Sequence, residues 1–181
     1  IMADRNEFAV PLRGRGGKSL KQERPYANYT VSRKAQAALE AGHPWVYDTV
    51  IRAVSGAAEN GGLVDVLSDK GRYLGTGFLS EHSKIRVRLV SRSANDRFDA
   101  AFWRRRLEWA WRYRKQVLGA PDLGCCRVVF GEADGLPGLT VDRFGDILVT
   151  QTLSVGIERL KPVLFPLLAE VLTADGQPVR G

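Results

Sequence analysis

Two cysteines, two histidines and one methionine are all that 181 residues provide of the common soft ligands and nucleophiles. Cys125 and Cys126 are adjacent, without the two-residue gap of a zinc or redox pair, and no second pair completes a metal site. Neighbouring cysteines are awkward to bridge, so both are expected reduced and partly buried. His43 and His82 stand far apart and join no ligand or nucleophile constellation. No apolar run approaches the roughly 18 residues of a membrane span, and no charged-then-apolar segment opens the chain. A cytoplasmic protein with no membrane partner is expected. No Gly-x-Gly-x-x-Gly follows a strand and no Gly-x-Ser-x-Gly elbow occurs. Gly17-Lys18-Ser19 suggests a phosphate loop, but that loop's first glycine would fall at Leu12. No catalytic residue, cofactor ligand or metal ligand is therefore assigned.

What the chain has is positive charge, unevenly placed. The net charge is +7, and residues 84 to 118 hold eleven Lys and Arg against Asp96, Asp99 and Glu108, which leaves the remainder close to neutral. Concentrated cations are the footprint of a polyanion partner, because each neutralised phosphate releases counterions. Residues 1–29 combine Pro11, Pro25, Gly14, Gly16 and Gly17 with scattered charge and no apolar period, which reads as a flexible basic arm. Its Arg13-Gly-Arg-Gly-Gly17 run is too short to be a specific RNA tract.

Periodicity divides the rest into two units and predicts an α+β fold. Thr30 and Val31 read as a strand, Ser32 as an N-cap, Arg33 to Ala41 as a helix and Gly42 as its stop. Leu63 to Leu67, Tyr73 to Leu79 and Ile85 to Val90 read as strands, the last alternating apolar Ile85, Val87 and Leu89 with Arg86 and Arg88. A helix among short strands, closed by this basic strand, suggests a small barrel. Residues 99 to 118 form an amphipathic helix: Phe102, Trp103, Leu107, Ala110, Trp111, Tyr113 and Val117 on the packed side, Arg104, Arg105, Arg112 and Lys115 on the other. Arg106 is expected to snorkel, and Arg114 to be a paired, half-buried ion. Arg127 to Phe130, Leu139 to Arg143 and Asp146 to Leu153 read as strands. A helix follows from about Gly156 to Leu172, kinked or shortened by Pro162 and Pro166. Residues 173–181 resemble the start of a connection.

Two constellations stand out. Gly42-His43-Pro44-Trp45-Val46-Tyr47 joins the first helix to the next strand, and Trp45 either packs or stacks on a base. Glu132 and Asp134 bracket Gly135-Leu136-Pro137-Gly138. Read as an extended segment, the two carboxylates share one side, where they bind a cation, pair with Arg127 or Arg143, or shape a pocket for a partner domain.

These runs, with Gly75-Thr-Gly77, Ser83-Lys-Ile-Arg-Val-Arg88 and Gly131 to Asp146, occur in the order seen in a known family. From about residue 30 onward the chain resembles the PUA-containing, S-adenosylmethionine-dependent methyltransferases that modify cytosine-5 of large-subunit ribosomal RNA. The resemblance implies a PUA-like β-barrel over 30–92 that binds RNA, and a central α/β domain with a β-hairpin over 99–178. It also implies a Rossmann-like catalytic domain beyond Gly181, carrying the cofactor loop and a cysteine that attacks C6 of cytosine. These 181 residues would then grip ribosomal RNA, bind no S-adenosylmethionine alone and be inactive alone. Their RNA surface would comprise Arg33, Lys34, His43, Trp45, Lys84, Arg86, Arg88, Arg104, Arg105 and Arg112. The loop of Glu132, Asp134, Gly135, Leu136, Pro137 and Gly138 would face the catalytic domain. The alternatives are a stand-alone RNA-binding adaptor, or a protein-interaction module anchored by Trp109; the modified nucleotide and a homodimer are left open.

Overall fold

The computed structural model describes residues 24–180. Six strands form one curled sheet, β1 (Ala27–Val31), β2 (Trp45–Tyr47), β3 (Ile51–Ser55), β4 (Leu63–Ser68), β5 (Tyr73–Leu79) and β6 (Ile85–Ser91), in the order β2-β6-β5-β4-β1-β3. The edge strands β2 and β3 do not pair, so the expected barrel is a half-barrel, and β6 lies inside the sheet instead of closing it. Neither β2 nor β3 is evident from the sequence, because three and five residues are too few to show a period. One helix, α1 (Arg33–Glu40), starts where the Ser32 hydroxyl accepts the Ala35 amide. It ends before Gly42, whose φ of +104° suits glycine. Val31, Leu39, Val46, Val64, Val66, Leu79 and Val87 fill the concave core.

The strand expected at Thr30 begins at Ala27, so the end of the supposed arm belongs to the sheet; residues 1–23, with the Arg13 to Gly17 run, lie outside the described residues. Arg24 reaches the fully buried Asp65, donating from Nε to Oδ2 at 2.6 Å and from Nη2 to Oδ1 at 3.2 Å. The Thr76 hydroxyl donates to Asp65 at 2.5 Å, and the guanidinium lies over the rings of Tyr26 and Tyr73 at 5.2 and 5.3 Å. A buried carboxylate is tolerated only when paired in this way. Burial pushes the Tyr73 phenol up to about 12.

The second unit is α2 (Ala100–Val117), β7 (Cys125–Phe130), β8 (Leu139–Phe144), β9 (Ile147–Thr152) and α3 (Val155–Ala174), with an antiparallel sheet β7-β8-β9. Asp99 caps α2 by accepting the Phe102 amide at 2.9 Å. Phe102, Trp103, Leu107 and Trp111 are each at most 2% exposed, about 2 to 3 kcal/mol of burial apiece. Tyr113 and Val117, expected on the packed side, are 55% exposed, because the packed stripe narrows toward the end of α2. Helix α3 is neither stopped nor shortened by Pro162 and Pro166, which both lie inside it. Asp175 caps α3, and Gln177, Val179 and Arg180 fold back on the unit: Arg143 donates to Gln177 at 2.8 Å, and Arg180 pairs with Asp146 at 2.5 Å. The expected connection at 173–181 is thus a docked segment as far as Arg180. Cys125 is exposed and Cys126 half-buried; both are free, and burial raises the Cys126 thiol.

The two units share a core. Phe78 and Val90 of the large sheet belong to the same buried cluster as Trp103, Leu107, Leu136, Ile157 and Leu164. Gly156 lets α3 approach: a Cβ there would lie 2.2 Å from Cγ of Phe78.

Candidate nucleic-acid interface

Register places the basic strand beside the aromatic motif. Strand β2 pairs with β6 so that Trp45 faces Arg88, Val46 faces Val87 and Tyr47 faces Ile85, while the Asp48 amide donates to the Lys84 carbonyl at 2.9 Å. Val46 and Val87 point into the half-barrel core, so Trp45, Arg86 and Arg88 occupy the opposite face, and Tyr47, beyond an irregularity in the pairing, joins Trp45 through its ring. On that face one row crosses four strands: Leu63, Phe78, Arg88 and Trp45. At its end sits an aromatic group. His43 stacks on Tyr47 with centroids 6.0 Å apart, and Trp45 stands edge-on to both at 5.7 and 6.5 Å.

Trp45 is tied across the units. Its indole Nε1 donates to Oε1 of Glu132 at 2.8 Å, which fixes the half-buried ring beside the more exposed Tyr47. The Glu132 side chain is therefore directed at the large sheet. Residues 131–134 form a 3-10 turn instead of an extended segment, which sends the two carboxylates in different directions. Asp134 takes both Nη atoms of Arg114, at 2.9 and 2.6 Å, and accepts the Phe130 amide at 2.6 Å. Arg114 is paired as expected and more deeply buried, and Asp134 takes it in place of Arg127 or Arg143. Arg127 pairs with Asp142 instead, which draws the Asp142 carboxyl below its ordinary range, and Arg143 binds the Gly145 carbonyl at 2.6 Å. Leu136, Pro137 and Gly138 are buried within this chain, and Gly138, with φ of +87°, packs on Ser154. Of that turn, Ala133 and the preceding Phe130 present the exposed surface.

The ten residues expected on the RNA surface are not gathered in one place. His43, Trp45, Lys84, Arg86 and Arg88 cluster on β2, the residues leading into it, β6 and the turn before β6. Arg33 pairs with Asp69 at 3.6 Å, in the turn at the opposite end of β5 from Lys84, and Lys34 is exposed beside it on α1. Seven residues of strand separate those ends by roughly 20 Å. The cationic side of α2 is largely neutralised: Arg104 pairs with Glu170, Arg105 lies 3.9 Å from Asp96, and Lys115 holds Asp175 at 2.5 Å. Arg106, buried enough to lower its pKa, donates to the Val90 carbonyl at 2.8 Å, where snorkelling was expected. Arg112 remains exposed on α2. Tyr47 is the member of the aromatic group that sequence reasoning missed; its spacing two residues from Trp45, on the same strand face, was the available signal.

A model of the PUA-like domain family matches residues 30–92. The half-barrel is a PUA-like domain. Over 126 residues the chain is homologous to ribosomal RNA large subunit methyltransferase I, 39% identical to the Cronobacter sakazakii protein and 37% to that of Escherichia coli, covering 70% of this chain and 32% of each relative. The Alteromonas mediterranea protein is 40% identical over 121 residues. The chain spans about a third of the length of these curated relatives. Among solved structures, a Streptococcus mutans protein described as a SAM-dependent methyltransferase superposes on 81% of the chain and 38% of its own, with a TM-score of 0.68 at 18% identity. A structure of SMU.776 complexed with SAH gives the same score over 37% of its chain. At that identity the likeness is one of fold.

A nucleoside cofactor in a Rossmann-like fold sits where parallel strands feed helices through glycine-rich turns. Here β1 and β4 form the one parallel pair among the described strands, and every other pairing is antiparallel. No group of three or more His, Cys, Asp and Glu that could hold a metal converges among the described residues.

Proposed function

We propose that this chain is the RNA-gripping part of a cytoplasmic S-adenosylmethionine-dependent methyltransferase acting on cytosine-5 of large-subunit ribosomal RNA. The observation that carries the reading is the juxtaposition of Lys84, Arg86 and Arg88 with the His43, Trp45 and Tyr47 rings on one face of a PUA-like sheet. Cations hold phosphates, and aromatic rings take bases that single-stranded or looped RNA can splay out. Enzymes acting on a base must first expose it, so a surface that grips flanking nucleotides has a defined task. The homology to ribosomal RNA large subunit methyltransferase I supports the substrate class. In this reading methyl transfer and cofactor binding belong to a catalytic domain beyond the 126 matched residues, and the turn at 131–134 meets that domain through Ala133 and Phe130. These residues alone are inactive and bind no cofactor.

Fluorescence anisotropy with a labelled large-subunit rRNA fragment tests the assignment. The pair Lys84→Glu and Arg86→Glu should lower affinity tenfold or more, because two phosphate contacts become repulsive. Affinity equal to wild type would remove β6 from the interface.

A further inference from the structure

We propose that the seam between the two units contains a phosphodiester-binding subsite built around Arg88, which seats one RNA phosphate next to the aromatic group. The inference rests on the RNA-gripping reading and adds a specific pocket to it. In the row Leu63, Phe78, Arg88 and Trp45, Arg88 is the one charged residue, and the face it occupies is the one the second unit covers. Its Nη1 donates to the Ser80 hydroxyl at 3.3 Å and the Ile85 carbonyl at 3.2 Å, which fixes the guanidinium. Nε and Nη2 have no partner among the described residues, and no carboxylate pairs with it there. Half-buried Arg24 and buried Arg114 each have a carboxylate, and buried Arg143 is held by the Gly145 carbonyl and Gln177; Arg88 has a cleft.

That cleft, about 190 Å³, is lined by Asn60, Ser80, His82, Ser83, Arg88 and the residues 153–155 that lead into α3. Leu153 and Val155 form an apolar side, and the polar side is made of hydrogen-bond donors. Ser80 is 5% exposed and its oxygen already accepts from Arg88; the Ser83 oxygen accepts from the Ile85 amide at 3.1 Å. Each hydroxyl therefore keeps its proton to donate. No Asp or Glu lines the space. Nearby acids are otherwise engaged or exposed: Glu132 accepts the Trp45 indole, Glu59 pairs with Arg159, Glu158 with Lys161, and Glu81 is exposed. A guanidinium fork with two open N–H groups, hydroxyls and an amide matches the oxygens of a phosphate. Continuity with the aromatic group selects an RNA phosphodiester over a free phosphate. Trp45 and Arg88 are direct neighbours across one strand spacing of about 4.8 Å, so a base against His43 and Tyr47 can place its own backbone at the cleft. Because the walls come from the turn before β6 and from the start of α3, a bound phosphate bridges the two units.

The test measures affinity for a labelled single-stranded RNA across a range of salt, for wild type and Arg88→Ala, with Arg52→Ala on the exposed strand β3 as control. Arg88→Ala should weaken binding roughly three- to thirty-fold and flatten the log-log slope by about 0.7, the loss of one phosphate contact. The control should match wild type. If Arg88→Ala melts below the assay temperature, His82→Ala with Ser83→Ala on the rim replaces it, with a smaller loss expected. In parallel, amide chemical shifts are followed with inorganic phosphate: shifts at Asn60 and Ser83 that RNA displaces support the subsite. Shifts that RNA leaves untouched overturn its assignment to RNA. A wild type with a steep slope and a cleft variant indistinguishable from it overturn the subsite alone, whereas a wild type with no slope overturns the RNA reading beneath it.

Discussion

At the scale of single residues, the seam depends on two carboxylates that a linear reading treats as a pair and the fold separates. Asp134 neutralises Arg114 where both side chains are under a tenth exposed. Asp134→Ala strands a buried guanidinium and should cost about 3 to 5 kcal/mol by urea unfolding. Glu132→Ala removes the acceptor of the Trp45 indole and should cost about 1 to 3 kcal/mol. Glu132→Gln, which keeps a carbonyl oxygen, should recover most of that loss and the tryptophan emission spectrum. Tyr73 supplies a pH test. Its folded pKa is raised by burial above the ordinary 10 to about 12, so between those values the unfolded chain gives up a proton the folded one retains. Stability is complete below pH 10 and falls as pH rises toward 12, and Tyr73→Phe should flatten that fall in alkaline melts. The Arg114 ion pair was legible in the sequence because a cation interrupting an apolar helix face must be paired. The partner was not, since Asp134 is twenty residues away, in a turn that only the positive φ of Gly131 and Gly135 makes compact.

Elements followed the sequence where the period was long enough to register. The eighteen residues of α2 showed their apolar side, and β6 its alternation. Strand β2 did not, because Gly42 to Tyr47 is read as a linker until β6 supplies its partner. Helix α3, expected from about Gly156 to Leu172, runs Val155–Ala174 with both prolines inside it, held by a core that buries Leu164, Leu167, Leu168, Val171 and Leu172. Each proline still forfeits a backbone bond, so Pro162→Ala at its exposed site should stabilise the protein by roughly 1 to 3 kcal/mol, read from the shift in urea midpoint. The two long helices are tied at the end of α3 by Asp175, whose carboxyl is held below its usual range first by Lys115 and then by the Trp111 indole. Its contribution is present above the ordinary carboxylate pKa near 3.8 and is lost as pH falls through the depressed folded value. Asp175→Asn should accordingly be less stable than wild type at neutral pH and converge with it in strong acid.

For the whole molecule, the shared core makes the PUA-like domain and the second unit one cooperative body. Gly156→Ala drives a methyl group into the Phe78 ring and should cost about 1 to 3 kcal/mol while leaving one unfolding transition. The charge excess was legible in the sequence, whereas its local pairing was not: Arg104, Arg105 and Lys115 of α2 lie beside acids of this chain, and the polyanion surface proposed above is the strip of β2 and β6. That strip is the central claim, and the dependence of wild-type RNA affinity on salt tests it most directly. Several phosphate contacts predict a log-log slope near −2, about −0.7 for each; a slope near zero would contradict the account.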